Sequence, residues 1–268
     1  MTATTRSTGS ARRWGPLWGA RPHDWATSEY QQVPTYQEAI RRVGIRRGER
    51  VLDMGCGAGA FLRLAADRGA HVFGLDASEA LIELARSRVP EAELRVGEME
   101  ELPYADGSFD LVTGFNSFFF AADMVAALRE ASRVAKPGAP VVIQVWGPPE
   151  RNQLEAMKKV VRQFLPSPPA DAPSPPPLWR PGVLEAMARE AGLAPDMTFD
   201  VSWAFEYSDD EELGRAMLAP MGIAELVGQS REHEVRARIV EALAPYRAPG
   251  GHYRLENEFH FLVARRPR

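Results

Sequence analysis

The run Val51-Leu52-Asp53-Met54-Gly55-Cys56-Gly57-Ala58-Gly59-Ala60 compresses three structural signals into ten residues. Its front, read with Arg50 as RVLDM, is a short apolar run of strand length. Glycines at 55, 57 and 59 then make a turn, and the segment Ala60–Asp67 has helical spacing and stops near Gly69. The same alternation repeats outward. HVFGL (71–75) is a second short apolar run. Ser78 can cap a helix whose Leu81, Ile82, Leu84 and Ala85 share a face, and Pro90 stops it. AELRV (92–96) and FDLVTGF (109–115) follow, the latter after a turn at Asp106-Gly107. The stripe Met124, Val125, Leu128, Ala131, Val134 ends at Lys136-Pro137-Gly138, and APVVIQVW (139–146) is the fifth run. Strands alternating with helices of this length need crossover connections and so a mostly parallel sheet. The runs are apolar throughout, as strands covered on both faces should be, so the expected class is a doubly wound α/β sheet.

The flanks read differently. Residues 1–13 are expected to be a disordered tail rich in Thr, Ser and Arg. Trp14, Trp18, Trp25, Tyr30 and Tyr36 mark an ordered lead-in, with a helix over Pro34–Val43. After Trp146, helices are expected over Leu154–Leu165, Val183–Ala191, Asp209–Ala219 and Arg231–Leu243. Residues 166–181 hold eight prolines, which excludes a helix or a central strand and leaves an extended connector. MTFDVSWAFEY (197–207) and LENEFHFLVARR (255–266) read as strands.

Composition narrows the function classes. At 268 residues the chain is one large domain or two small ones, long enough to bury a core without disulfides. Cys56 is the sole cysteine, which excludes an internal disulfide and a Cys-clustered zinc or iron–sulfur site; no metal is expected. No apolar run approaches the roughly 18–20 residues of a membrane span, and the polar N-terminus has no apolar stretch like a secretory signal, so a cytoplasmic protein is expected. The net charge of −4, from 36 acidic and 32 basic residues, argues against a dedicated nucleic-acid binder.

The glycine turn belongs at the carboxyl edge of the sheet, where such folds bind nucleotides. Gly55, Gly57 and Ala60 fit GxGxxA, so a dinucleotide is one reading. Asp53 opposes it. A carboxylate two residues before the first glycine faces the crevice and would repel a pyrophosphate at a cost of several kcal/mol in low dielectric. It suits instead a ligand with a positive ammonium and no phosphate, which describes S-adenosyl-L-methionine. Asp76 ends the second strand 21 residues after Gly55 and can accept from ribose hydroxyls in either reading. After the third strand, Glu98 can accept from the adenine amino group while Met99 offers a backbone and packing contact. Phe115 and Asn116, where the fourth strand ends, can reach the methionyl end. Cys56 and Ala77 stand between these anchors, and Trp25 and Tyr30 of the lead-in are placed near the sulfonium, where an aromatic face is favourable.

Together VLDMGCGAG, GLDAS, GEMEELPYADGSFDLV and LREASRVAKPGAPVVI resemble the seven-stranded class I S-adenosyl-L-methionine-dependent methyltransferases, in particular the small-molecule branch typified by ubiquinone/menaquinone-biosynthesis enzymes. The resemblance covers about residues 48–146. It implies a Rossmann-like sheet of order 3-2-1-4-5-7-6 with the last strand antiparallel, and a cofactor pocket of Asp53, Gly55, Gly57, Asp76 and the Glu98/Met99 pair. That family often has Asp where Glu98 stands. The resemblance implies methyl transfer to a small-molecule acceptor, with S-adenosyl-L-homocysteine as product. One domain is expected over 14–268, capped by 14–47, 148–180 and 208–252, with Trp14, Trp18, Trp25, Trp179, His252, Tyr253 and Phe118–Phe120 near an aromatic-lined acceptor site. No catalytic base is assigned, His23 and His252 being the histidines weighed, and the oligomeric state is left open. Two other readings stand beside it. One is a protein of this fold that binds the cofactor without methylating. The other is an NAD-dependent oxidoreductase, disfavoured by Asp53 and by the lack of a Ser/Tyr/Lys or His constellation. No basic stripe and no Asn/Asp-Pro-Pro-aromatic motif at Phe115-Asn116-Ser117-Phe118 points to a nucleic-acid acceptor.

Overall fold

The computed structural model describes residues 9–166 and 176–268. Among these, the strands are β1 (Arg50–Met54), β2 (His71–Asp76), β3 (Glu93–Val96), β4 (Leu111–Phe115), β5 (Pro140–Trp146), β6 (Ala194–Tyr207) and β7 (Tyr253–Arg265). They form a seven-stranded sheet of order β3-β2-β1-β4-β5-β7-β6. The first five strands pair in parallel, and β7 lies antiparallel between β5 and β6. Fold class, strand order and the reversed last strand are those expected.

The helices are α1 (Ser10–Trp18), α2 (Pro22–Tyr30), α3 (Val33–Val43), α4 (Ala60–Ala66), α5 (Glu79–Arg88), α6 (Met124–Val134), α7 (Glu155–Arg162), α8 (Val183–Glu190), α9 (Asp210–Leu218), α10 (Ile223–Val227) and α11 (Gln229–Leu243). Successive strand residues point to opposite faces, and each face has its own core. Val51, Val72, Val142, Phe261 and Val263 pack with Tyr36 and Ile40 of α3 and Phe61 of α4. Leu52, Phe73, Val112, Val141 and Ile143 pack with Leu128 of α6 and Leu184 of α8. This two-sided burial is why the strand sequences are apolar without alternation. Helix starts follow the local chemistry: Ser78 accepts from the Leu81 N–H at 3.3 Å, and Asp123 caps α6 through the Ala126 N–H at 3.0 Å.

Several boundaries differ from expectation. The tail expected over 1–13 is already helical from Ser10; residues 1–8 lie outside the described residues. Pro16 sits inside α1 and hides the helix in the sequence, because it removes a helical hydrogen bond that only tertiary contacts offset. α2 and the five-residue α10 were also unread; α10 is flanked by Met221 and Gly222 in the left-handed region and by Gly228. Phe109 makes an isolated bridge to Ala135 rather than joining β4. β6 starts earlier than expected, at Ala194, through a bulge between Pro195 and Met197. The proline-rich connector lies outside the described residues over 167–175.

The parallel order places the carboxyl ends of β1, β2 and β4 side by side. The chain leaves β1 through α4 to β2 on one side and leaves β4 through α6 to β5 on the other, so the topological switch point at which such sheets form a crevice lies between β1 and β4. α1 to α3 cross over it. α1 can lie close because it is glycine-lined: a Cβ at Gly15 would collide with the Ala77 carbonyl oxygen, and one at Gly19 would stand 2.6 Å from Ser78 Oγ.

Candidate active site

A cavity of about 420 Å³ opens at this switch point. Its floor is the glycine turn. Gly55 and Cys56 donate their N–H groups to the Leu75 carbonyl at 2.7 and 3.1 Å, tying the turn to the end of β2. Gly55 and Gly57 have φ of +79° and +53°, the left-handed region where a side chain is strained. Gly57 is doubly constrained, since a Cβ there would stand 2.6 Å from Glu29 Oε1 and 3.4 Å from Trp25 Nε1.

Three carboxylates converge on this floor. Asp53, in β1, is buried and accepts from Thr113 Oγ1 at 2.7 Å. Asp76, ending β2, accepts from the Gly57 N–H at 2.9 Å and the Ser78 N–H at 2.8 Å. One oxygen takes each bond, so each retains a lone pair for a ligand hydroxyl. Glu29 comes down from α2, buried, with Arg88 Nη1 at 3.6 Å from Oε2. Burial pushes Asp53 and Glu29 up to about 8, against the pull of the Thr113 hydroxyl on the first and of Arg88 on the second. Burial also raises Asp76, opposed by the Ser78 and Gly57 N–H groups. Charging all three at once is unfavourable without a cation among them.

The roof belongs to the lead-in. Trp18 meets Trp25 edge-on at 4.6 Å, and Trp14 and Trp18 meet Phe120 at 5.0 and 5.4 Å. A polar chain joins α2 and α3 to the sheet. Asn116 Nδ2 donates to Gln32 Oε1 at 2.9 Å, Gln144 Nε2 donates to the same oxygen at 3.2 Å, and Thr35 Oγ1 donates to Gln144 Oε1 at 3.2 Å. Asn116 is held at φ +53°, beside Ser117, whose hydroxyl donates to the Met54 carbonyl. Three buried polar atoms facing this region have no hydrogen-bond partner among the described residues: Trp25 Nε1, Glu29 Oε2 and Asn116 Oδ1. Buried orphans of this kind call for a ligand or water to satisfy them.

Of the residues singled out in the sequence, Trp25, Asp53, Gly55, Cys56, Gly57, Asp76, Ala77, Met99, Phe115 and Asn116 line the cavity. Two do not. Tyr30 is 49% exposed, with the Arg88 guanidinium 5.0 Å above its ring. Glu98 accepts from the Ala11 N–H at 3.0 Å and from Ser10 Oγ at 3.3 Å, so its charge sits at the N-terminus of α1, where the helix dipole favours it. The structure thus places Glu98 as the fastening of the roof helix and leaves Met99 facing the cavity. Trp179, His23, His252 and Tyr253 also fall outside the lining, Tyr253 being buried with its hydroxyl donating to Asp210 at 2.6 Å. The sequence reading missed Glu29 and Gln32, while Ser117, the last residue of the Phe115-Asn116-Ser117 segment it singled out, lines the cavity. Glu29 was within reach, because it stands one helical turn after Trp25 and shares its face.

Residues 52–143 match the family described as Methyltransferase domain. The chain is 35% identical over 132 residues to a demethylmenaquinone methyltransferase of Beutenbergia cavernae, covering 49% of this chain and 55% of that protein. It is 31% identical over 125 residues to a malonyl-[acyl-carrier protein] O-methyltransferase of Serratia marcescens, covering 44% and 49%. The chain therefore spans about half the length of the curated relatives it matches. Its fold is that of the [4+2]-cyclase SpnF, with a TM-score of 0.59 at 22% identity, covering 88% of this chain and 81% of that one. The likeness to class I S-adenosyl-L-methionine-dependent methyltransferases, expected from the sequence motifs, holds in both the family match and the sheet order.

Proposed function

We propose that this chain, which carries a methyltransferase domain over residues 52–143, is an S-adenosyl-L-methionine-dependent methyltransferase acting on a small-molecule acceptor in the cytoplasm. The observation that carries the reading is the trio Asp53, Asp76 and Glu29 around the glycine turn. A pyrophosphate would meet three carboxylates there, whereas an amino-acid ammonium is matched by them. The orphaned Trp25 Nε1 and Asn116 Oδ1 give a donor for a carboxylate and an acceptor for an ammonium. In this reading Asp76 accepts from the ribose hydroxyls, Met99 packs on the adenine, and Asn116 orients the methionyl end.

The cofactor supplies a methyl group on an electrophilic sulfonium. The protein's part is to hold the acceptor in line with it and to keep water out, a contribution of up to ~7–11 kcal/mol from proximity and orientation. Trp14, Trp18, Phe119 and Phe120 of the roof serve the exclusion. Relatives named for demethylmenaquinone and for malonyl-[acyl-carrier protein] support a metabolic acceptor rather than a nucleic acid. The likeness to a cyclase supports a second reading, a protein of this fold that binds the cofactor and steers another reaction.

Thermal scanning with S-adenosylhomocysteine and with NAD separates the cofactor classes. Stabilisation is expected with the first and none with the second; the reverse sinks the proposal. Binding followed by no S-adenosylhomocysteine production from S-adenosylmethionine across a broad acceptor panel would move the conclusion to the second reading.

A pH dependence follows from the same trio. A carboxyl raised to about 8 in the folded state and near 4 in the unfolded chain keeps its proton on folding through that window. The folded state then binds more protons, so the stability of the free protein falls as pH rises from about 4 toward 8. A ligand ammonium reverses this locally by favouring the ionised acids. Affinity for S-adenosylhomocysteine should therefore climb between pH 6 and 8, by up to about tenfold per unit for each proton released. Calorimetry in two buffers of different ionisation enthalpy should show net proton release at pH 7, reduced in Glu29→Gln. Proton uptake on binding would contradict the assignment.

A further inference from the structure

Beyond Asn116 the cavity continues into an arm whose function no site residue above explains. Its walls include Trp146, Met157, Val161, Phe205, Met217 and Ile223. Trp146 closes β5 two residues past Gln144, which is in register with Phe115 of β4, so this arm begins beside the Asn116 turn. The ionisable groups of the described lining residues in this arm are Lys158, Arg162 and the hydroxyl of Tyr207, with Tyr36 at its junction to the glycine turn. Lys158 Nζ stands 5.1 Å from the centre of the Trp146 ring and 2.6 Å from Glu155 Oε1. Arg162 Nη2 is 3.9 Å from the other oxygen of Glu155. Two cations thus share one carboxylate, and Glu155 is not itself part of the lining.

We propose that the acceptor is an apolar-bodied organic acid, bound as its anion against Lys158 and methylated on the ionised oxygen. The proposal rests on the cofactor reading above and goes beyond it to the acceptor's chemistry. The first argument is the missing base. Neither a carboxylate nor an imidazole is present among the described lining residues of the arm, and burial raises both tyrosine hydroxyls above their ordinary range, so they stay neutral. Among the described lining residues of the arm, an alcohol or an ammonium meets no carboxylate or imidazole to take its proton, the acids of the cavity being Asp53, Asp76 and Glu29 at the glycine turn. An acid that arrives ionised needs nothing. The second argument is charge. An ammonium would meet Lys158 and the sulfonium, both of its own sign, whereas an anion is attracted by each; Arg162, 68% exposed, adds little, and Glu155, 2.6 Å from Lys158 Nζ, offsets part of the attraction.

The step balances without a proton. The acceptor oxygen supplies the electron pair of the new O–CH₃ bond, the pair of the broken S–CH₃ bond stays on sulfur, and an anion and a cation become two neutral centres. Such charge annihilation is favoured in a water-poor cavity.

The test uses the full chain saturated with S-adenosylhomocysteine and three matched probes titrated by calorimetry: 4-phenylbutanoate, 4-phenylbutanamide and 4-phenylbutylamine. The acid should bind about tenfold or more tightly than the amide, the scale of a charge-assisted hydrogen bond, and the amine more weakly than either. Lys158→Met should bring the acid to within about twofold of the amide, while Lys158→Arg keeps the preference. Unchanged S-adenosylhomocysteine affinity in both variants shows that they are folded. Acid bound no better than amide or amine, no binding of any probe, or an acid preference that survives Lys158→Met overturns the proposal. Failure of the unaltered chain to take up S-adenosylhomocysteine instead overturns the cofactor reading beneath it.

Discussion

Asp76→Ala should weaken S-adenosylhomocysteine binding by about 10- to 150-fold, the equivalent of the ~1.5–3 kcal/mol carried by hydrogen bonds to a charged group. The side chain has two tasks, and the experiment must separate them. Its oxygens already accept from the Gly57 and Ser78 N–H groups, so alanine both removes the ribose partner and releases two donors of the turn. A cycle with 2′-deoxy-S-adenosylhomocysteine isolates the first task. If Asp76 holds the ribose, the deoxy ligand loses most of its deficit in the variant. If it only braces the turn, both ligands weaken equally. Asp53→Asn should fall within the same range, because its acid faces the same cavity while Thr113 keeps a partner at 2.7 Å. Unchanged affinity in both variants would put the cofactor somewhere else.

The largest loss of stability is expected at Phe261→Ala, about 3–5 kcal/mol as for other buried aromatic truncations. Phe261 is fully buried in β7, stacks on Phe199 of β6 at 4.7 Å with an interplanar angle of 7°, and reaches Phe115 of β4 at 6.5 Å. Removing it empties the joint between the parallel strands and the antiparallel pair that ends the sheet. The stacked partner adds ~0.5–1.5 kcal/mol beyond its area. Against a typical total of ~5–15 kcal/mol this is a large fraction. Urea unfolding should show a lower midpoint at an unchanged slope. Trp203→Ala is the comparison, on the outer strand β6 and 41% exposed, where less than ~0.5 kcal/mol is expected. A loss below ~1 kcal/mol at Phe261 would mean that the sheet end repacks around the gap.

Much of the site was legible wherever chemistry lies close along the chain. Asp53 to Gly57 sit in one turn, and Asp76 ends the next strand, so a strand-turn-helix pattern was enough to place them together. Pro16 concealed α1, and with it the partner of Glu98. Without α1, Glu98 reads as a free loop acid facing the adenine; with α1 present, its carboxylate binds the Ala11 N–H. Tyr30 fails for a similar reason. It was placed by nearness in sequence to Trp25, but α2 turns it outward while Glu29, one position earlier, points down to Gly57.

By itself, then, the sequence determined the mostly parallel sheet and the acidic glycine turn, because strand burial on two faces and positive φ at glycine are written locally in residue type and spacing, while the strand order came only from the family resemblance that the motifs carry. Only the tertiary structure decided which lead-in groups close the cavity and which charges meet there. Glu29 and Asp53 are 24 positions apart in sequence, and Lys158 is separated from Asn116 by the whole of β5. Their shared cavity depends on helix crossings over the sheet edge, set by glycine-allowed close approach at Gly15 and Gly57 and by the polar chain from Gln32 to Gln144, contacts between distant segments that no local pattern encodes.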